Sequence, residues 1–474
     1  MAESGSAAPA AATWADLFAP QHRSAVAVLA TGVAVFAIST YLTAASLPSA
    51  IDDIGGADLY AWVMTTFLLA AVCASMLVTP TLSRLGARTA YLGAFFAFGV
   101  GSLIGAVAPT MPVLLVGRVV QGLGGGLLTG LAFAVVRIAL PERLWVRAIG
   151  FTSAMWGVGN LIGPALGGLF AQLHFWRGSF WLLVVVAAVV MVPTARALPH
   201  NRVAPVRNPP IPWWSLVAVA LAAAALSVAS LTTGTAATVT LICVGAASLF
   251  AFVGVDRRKG VGLLPRLTYV AGNPLKWIYL SVAVLAIGST TETFIPLFGQ
   301  RIGGLGPFAA GLLGAALSWG WSTSQILSTT FAEGSRSRVV RLAGPGVLGA
   351  GLAAYGALQS FDGAGGIAGW FVVLFVAGCG IGMAFPHIAT AAMTITTDDA
   401  EAARASAGVN TVQMVANAVG SAVAGLLVSF GSSDIASARY LFFGFAVVAL
   451  LGIAVAAASV GRRRPVPIVV EEAS

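Results

Sequence analysis

Apolar runs follow one another along nearly the whole chain, separated by short polar stretches rich in arginine, glycine and proline. A helix that crosses a bilayer needs about 20 consecutive apolar residues. The pattern predicts 14 such spans, at residues 24–49, 60–80, 89–109, 112–137, 148–172, 179–195, 213–232, 235–254, 277–298, 306–330, 342–359, 366–392, 405–430 and 440–460. Only Leu231-Thr232-Thr233-Gly234 divides the seventh from the eighth, and a re-entrant pair there would reduce the count to 12. The expected architecture is an all-α membrane protein. A segment at 1–23 precedes a six-helix bundle at 24–195, a linker at 196–211 and two extra helices at 212–254. A second linker at 255–275, a second six-helix bundle at 276–460 and a tail at 461–474 follow. Pro199, Pro205, Pro209, Pro210 and Pro212 exclude a continuous helix through the first linker.

Charge sets the expected orientation. With the N-terminus in the cytoplasm and the spans alternating, Arg177, Arg301 and Arg439 are the basic residues left outside, and Arg118 falls within a span. The remaining lysines and arginines gather at the inner boundary, as the positive-inside rule requires, with both termini cytoplasmic. Residues 1–23 carry Glu3 and Asp16 and no early basic cluster, so the first apolar run reads as a span and not as a cleaved leader.

Composition narrows the function. Charged residues make up 9% of the chain, against about 25% in soluble domains, so lipid is the solvent this surface suits. The net charge of +9 is spread between spans and does not point to nucleic acid. Cys73, Cys243 and Cys379 lie inside spans as small packers, and no metal or cofactor is expected. There is no GxxxxGK[ST] loop, hence no ATPase domain in this chain, and an ion gradient is the simpler energy source. No enzymatic nucleophile motif stands out. The compositional bias suits a bacterial inner membrane, and a monomer is the expected unit.

Polar residues at lipid depth are the candidates for function. Arg118 lies roughly 10 Å below the outer surface at 1.5 Å per residue, with Gln121 one turn further on. A place facing a central polar cavity is favoured for it over a snorkelling helix end. Glu292 is the carboxylate well inside a span, after Ser289 and before Pro296. Three roles stand open for it: proton carrier, fixed counter-charge to Arg118, or contact to a cationic substrate. Asn410, Gln413 and Asn417 form one polar stripe at i, i+3, i+7. Asn160, Trp156, Trp319 and Trp321 are further candidates for a cavity wall, and His387, beside Pro386, for a gate. Gly159, Gly163 and Gly167 are four apart and form a smooth stripe, next to Pro164 and Gly168, on which another helix can approach closely.

Three stretches carry a family resemblance. Gly159-Asn-Leu-Ile-Gly163-Pro164-Ala-Leu-Gly167-Gly168 resembles the antiporter motif GxxxGPxxGG of the major facilitator superfamily, and in particular its 14-span drug:proton antiporters. Arg118-Val-Val-Gln121-Gly122-Leu-Gly124 is similar to the family's RxxQGxG motif, whose arginine is implicated in proton coupling. Ser83-Arg84-Leu-Gly86-Ala-Arg88 resembles part of the loop motif GxLxDRxGRR, a conformational latch. Thr79 and Ser83 depart from that motif, standing where it has glycine and aspartate. Ser39 falls where many members carry an acidic residue, which leaves Glu292 as the main internal candidate carrier. The resemblance implies two bundles rocking about a midplane cavity and multidrug efflux in exchange for protons, with amphipathic small molecules or lipids as cargo. The alternatives are an exporter of an endogenous lipid or siderophore, a gradient-driven nutrient importer, and a non-transporting membrane receptor or scaffold.

Overall fold

Fourteen long helices follow one another through the described residues of the computed structural model, which are 13–141, 144–198, 211–258, 262–328, 334–360, 363–396 and 398–460. The expected tail, most of the first linker and the first 12 residues lie outside them. The helices are α1 (Arg23–Ile54), α2 (Tyr60–Ser75), α3 (Val78–Ala106), α4 (Met111–Ala139), α5 (Trp145–Gln172), α6 (Arg177–Ala197), α7 (Trp213–Ala229) and α8 (Thr235–Arg258). They continue with α9 (Leu275–Arg301), α10 (Pro307–Ser328), α11 (Gly334–Ala357), α12 (Gly363–Met393), α13 (Asp399–Ser429) and α14 (Asp434–Val460). Twelve are long and apolar enough to cross a membrane. The other two are α7, with 17 residues, and α10. The 22 residues of α10 are length enough, but the run from Ser318 to Gln325 makes it polar.

Two sets of six helices repeat one packing pattern. In the first, α1 packs on α5 and α6, α4 packs on α2 and α3, and α3 packs on α6. Replacing each helix by the one eight places later gives the second set, with α9 on α13 and α14, α12 on α10 and α11, and α11 on α14. The contacts between the bundles obey the same relation: α5 meets α10, and α2 meets α13. This pseudo-two-fold arrangement puts a single seam through the molecule. The pair α7–α8 stands outside it, packed against α13 and α2.

Side chains tie that pair down at both ends. Trp62 of α2 donates its indole N–H to the Ser227 carbonyl of α7 at 3.1 Å. At the other end Asp256, 4% exposed, accepts from Ser215 Oγ (2.7 Å), the Leu263 and Leu264 amides (2.5 and 3.1 Å) and Tyr269 Oη (2.8 Å). Four donors on one carboxylate fold the chain between α8 and α9 back onto α7. Burial and the adjoining Asp256 carboxylate hold the Tyr269 hydroxyl well above the ordinary phenol range.

Close approach of helices follows the small residues. A Cβ on Gly159 would overlap Ala37, one on Gly163 would sit 2.7 Å from Tyr41 Cβ, and one on Gly167 would overlap the Leu42 carbonyl. The stripe read from the sequence is therefore the seat of α1 on α5. Gly168 continues it across the seam, where a Cβ would stand 2.9 Å from the backbone of Phe308 in α10. In lipid such van der Waals contact supplies much of the association energy.

Candidate functional site

The seam is sealed toward one end and open toward the other. The sealed end carries the α1–α2, α5–α6 and α9–α10 connections. There Tyr60 donates its hydroxyl to the Thr293 carbonyl at 2.8 Å and lies against Phe294, ring centroids 4.8 Å apart. Ala61 of α2 and Gly425 of α13 also meet there. Beyond this seal a cavity of about 610 Å3 reaches toward the other end, past Ala154 of α5, Ile326 of α10 and Ser406 of α13. The wall includes Phe36, Tyr41, Trp156 and Asn160 from the first bundle. The second contributes Ser289, Glu292, Trp321, Gln325, Phe385, Asn410, Gln413 and Asn417.

Glu292 stands where α9 loses its regular form. The helix gives way to a 3-10 turn at Thr290–Phe294 and resumes at Ile295. Pro296 accounts for this locally: its ring clashes with the carbonyl four residues back, that of Glu292, and it offers no N–H. The hydroxyls of Ser289, Thr290 and Thr291 bond back to the carbonyls of Ala286, Ile287 and Gly288 at 2.7, 2.7 and 2.8 Å, which bends a helix further. The Glu292 side chain accepts from Ser318 Oγ of α10 at 2.6 Å. Tyr41 of α1 lines the same cavity and lies beside this pair. The carboxylate of the second bundle thus faces a tyrosine of the first across the cavity.

Arg118 lies elsewhere. It is 0% exposed and does not line the cavity. Its Nε donates to the Val63 carbonyl at 3.2 Å, and Nη1 to Ser39 Oγ (3.3 Å), Thr43 Oγ1 (3.4 Å) and Gln121 Oε1. Nη2 points to Met64 Sδ at 3.8 Å, and the guanidinium stacks 3.9 Å from the Phe67 ring centroid. Every partner is neutral, and the ion pairs among the described residues, Arg177–Asp53, Arg301–Asp434 and Arg404–Glu401, do not include it. The central-cavity position and the pairing with Glu292 considered from the sequence are not what the structure has. Arg118 grips the face of α1 opposite Tyr41, since Ser39 and Thr43 are one turn apart and Tyr41 lies half a turn from each.

The remaining candidates divide in the same way. Asn160, Trp156, Ser289, Trp321, Asn410, Gln413 and Asn417 meet at the cavity. The side-chain oxygens of Asn160 and Asn417 are buried without a partner, one on each bundle, and stand ready for a ligand donor. Gln121 is off the wall: it holds Arg118 and donates to Ser102 Oγ at 2.8 Å. Trp319 is off it too, packed edge-on against Phe371, because on α10 it is two residues from Trp321 and faces the other way. His387 is buried, its Nε2 3.1 Å from the Ser328 carbonyl, at the end of α10 toward which the cavity opens. At the start of α3, Gly86 has φ +76° and interrupts the helix, which a side chain rarely tolerates. Arg84 beside it is exposed and Arg88 half-buried.

Tyr41 and Ser318 were not anticipated. Each is an ordinary residue within an apolar or small-residue run, and nothing in their spacing marks them. Phe36 is a third such case. It lies stacked on Phe67 at 5.0 Å and edge-on to Trp156 at 5.6 Å, which completes an aromatic series from Arg118 to the cavity wall.

Two pseudo-symmetric helical bundles enclosing a polar cavity deep between apolar helices define a multi-pass membrane carrier. The chain belongs to the Major Facilitator Superfamily, whose family model matches residues 27–416. It is 40% identical over 463 residues to a probable multidrug-efflux transporter of Mycobacterium tuberculosis, covering 96% of this chain and 98% of that one. It is 28% identical over 301 residues to a methylenomycin A resistance protein of Streptomyces coelicolor, covering 60% of this chain and 62% of the relative. In fold it matches the crystal structure of a D-xylose-proton symporter, with a TM-score of 0.66 at 15% identity over 94% of this chain and 98% of that one. A POT family transporter in complex with 5-aminolevulinic acid matches with a TM-score of 0.68 at 14% identity, over 91% and 94% of the two chains.

Proposed function

We propose that this chain is an exporter of amphipathic small molecules, drugs among them, in the bacterial inner membrane, driven by exchange for protons. All 14 helices cross the bilayer in this reading, with both termini in the cytoplasm. The arginine-rich connections then lie at the open end of the cavity, and the conformation described here faces the cytoplasm.

The observation that carries the reading is Glu292. It is a buried carboxylate at a helix break, on the wall of a cavity sealed at one end, hydrogen-bonded by Ser318 and facing Tyr41 of the opposite bundle. Carboxylates at lipid depth mark proton or substrate pathways. Proton binding from outside and release inside, alternating with outward passage of cargo through the same cavity, requires one such group accessible in turn from each side. The cavity wall suits the cargo: aromatic faces at Trp156, Trp321 and Phe385 for an apolar body, and amides at Asn160, Asn410 and Gln413 for a few polar atoms. Likeness to a probable multidrug-efflux transporter over nearly the full length of both chains supports the same class of cargo. Arg118 acts as a positioning residue in this reading, holding α1 so that Tyr41 faces Ser318.

The test is flux in reconstituted vesicles. An imposed proton gradient should drive dye or drug against its concentration gradient, with counterflow of protons, and a protonophore should abolish it. Transport indifferent to the proton gradient removes the antiport reading.

A further inference from the structure

A second space, larger than the cavity at about 870 Å3, lies on the sealed side of the seam. Its walls are the tips of α2 and α13 and the α7–α8 hairpin, so it exists in this form because the hairpin stands outside the two bundles. It shares α1, α2, α9 and α13 with the cavity, and α9 changes sides most sharply. The 3-10 turn of α9 presents Thr290, Glu292 and Thr293 to the cavity, while Phe294 and the following Leu297 and Arg301 line the outer space. Between the two spaces stand the Tyr60–Phe294 ring contact and the Tyr60–Thr293 hydrogen bond.

The lining has two chemical zones. Tyr60, Phe294, Leu297 and Ile242 make an apolar floor. At the hairpin tip Thr232 and Thr238, whose hydroxyls are 2.7 Å apart, supply a hydroxyl rim, with Asp58 and with Arg301, which is ion-paired to Asp434. An apolar floor with a hydrogen-bonding rim that carries both a cation and carboxylates fits an amphipathic molecule with an apolar body and an uncharged or zwitterionic head.

We propose that this hairpin-walled cleft is the exit site of the exporter, a second binding site for the same amphipathic cargo, reached when Tyr60 and Phe294 part. The inference rests on the export reading above and adds a function for α7 and α8. The hairpin supplies the wall on which cargo rests before release.

The test uses the full-length protein in lipid vesicles, with rhodamine B as a zwitterionic amphipathic probe. Val239 lines the cleft; Val244, one turn and a fraction along α8, does not. V239W should abolish proton-driven rhodamine B export while leaving dye binding to the cavity at its parental Kd, and V244W should export as the parent does. Equal loss in both variants, or parental export by V239W, overturns the proposal. A diazirine-tagged rhodamine B on the unaltered protein judges the cleft independently of flux. Label should appear at Thr238 and Val239 and be displaced by untagged dye. Its absence there, or its displacement by phosphatidylglycerol alone, overturns the cleft as a cargo site and makes it a lipid seat. Failure of the unaltered protein to export under a proton gradient counts against the export reading, not the cleft, because the labelling arm needs no gradient.

Discussion

Ser318 donates its hydroxyl to Glu292 at 2.6 Å, which holds the carboxylate of the second bundle on the cavity wall that Tyr41 of the first also lines. Both donor and acceptor are nearly inaccessible, so removing one leaves the other short of a partner. S318A should therefore slow coupled transport by about tenfold, with Y41F acting in the same direction but less, because Tyr41 lines the cavity beside this pair without bonding the carboxylate. Rates of dye-proton exchange in vesicles, at equal reconstituted protein, measure both. Parental rates in S318A would detach the hydroxyl from the coupling.

Arg118 offers a contrast. Its fork of donors is satisfied by a carbonyl, two hydroxyls and an amide on three helices, which an ammonium cannot reproduce. R118K should lower thermal stability in detergent by about 1–3 kcal/mol. Equilibrium dye binding should hold within a factor of two or so, because the side chain is off the cavity. A large loss of binding with unchanged stability contradicts the positioning role.

At the glycine stripe, packing is decided by a single carbon. A Cβ at position 163 would stand 2.7 Å from Tyr41 Cβ, well inside van der Waals contact. G163V forces α1 from α5 and should cost roughly 1–3 kcal/mol, the usual range for overpacking, while also displacing Tyr41. Gly157, with open space around its position, is the internal control. G157A should leave the melting temperature near that of the parent.

The Asp256 knot gives an alkaline signature. Tyr269 keeps its proton in the folded protein above the pH at which an unfolded tyrosine ionises, so its contribution is complete below a pH of about 10 and is lost as pH rises beyond it. Melting temperature followed from neutral to strongly alkaline pH should fall less steeply in Y269F than in the parent. Identical slopes would mean that Tyr269 does not carry this dependence.

Much of this architecture was legible in the apolar pattern, because lipid imposes helix length and forbids unpaired backbone. The fourteen observed helices fall on the fourteen apolar runs, including the pair divided only by Leu231-Thr232-Thr233-Gly234. The polar stripe Asn410, Gln413, Asn417 reached the cavity because helical spacing alone puts those residues on one face. Depth, by contrast, says nothing of direction. Arg118 and Glu292 are both buried, yet one turns into its own bundle and the other to the seam. Trp319 and Trp321, which looked equivalent, face opposite ways. Asp256 was placed in a linker at a water boundary, and its burial depends on four donors that no local pattern announces. Tyr41 and Ser318 owe their place to which helices meet, a property of the tertiary fold and not of their neighbours in sequence.

The central claim is that Glu292 carries the exchanged proton. It is tested most directly by loading vesicles with E292Q, imposing a proton gradient, and recording dye movement and internal pH together. The account predicts no uphill dye transport and no dye-linked proton flux, with dye-for-dye exchange down its own gradient retained. Uphill transport at the parental rate and proton ratio would contradict it.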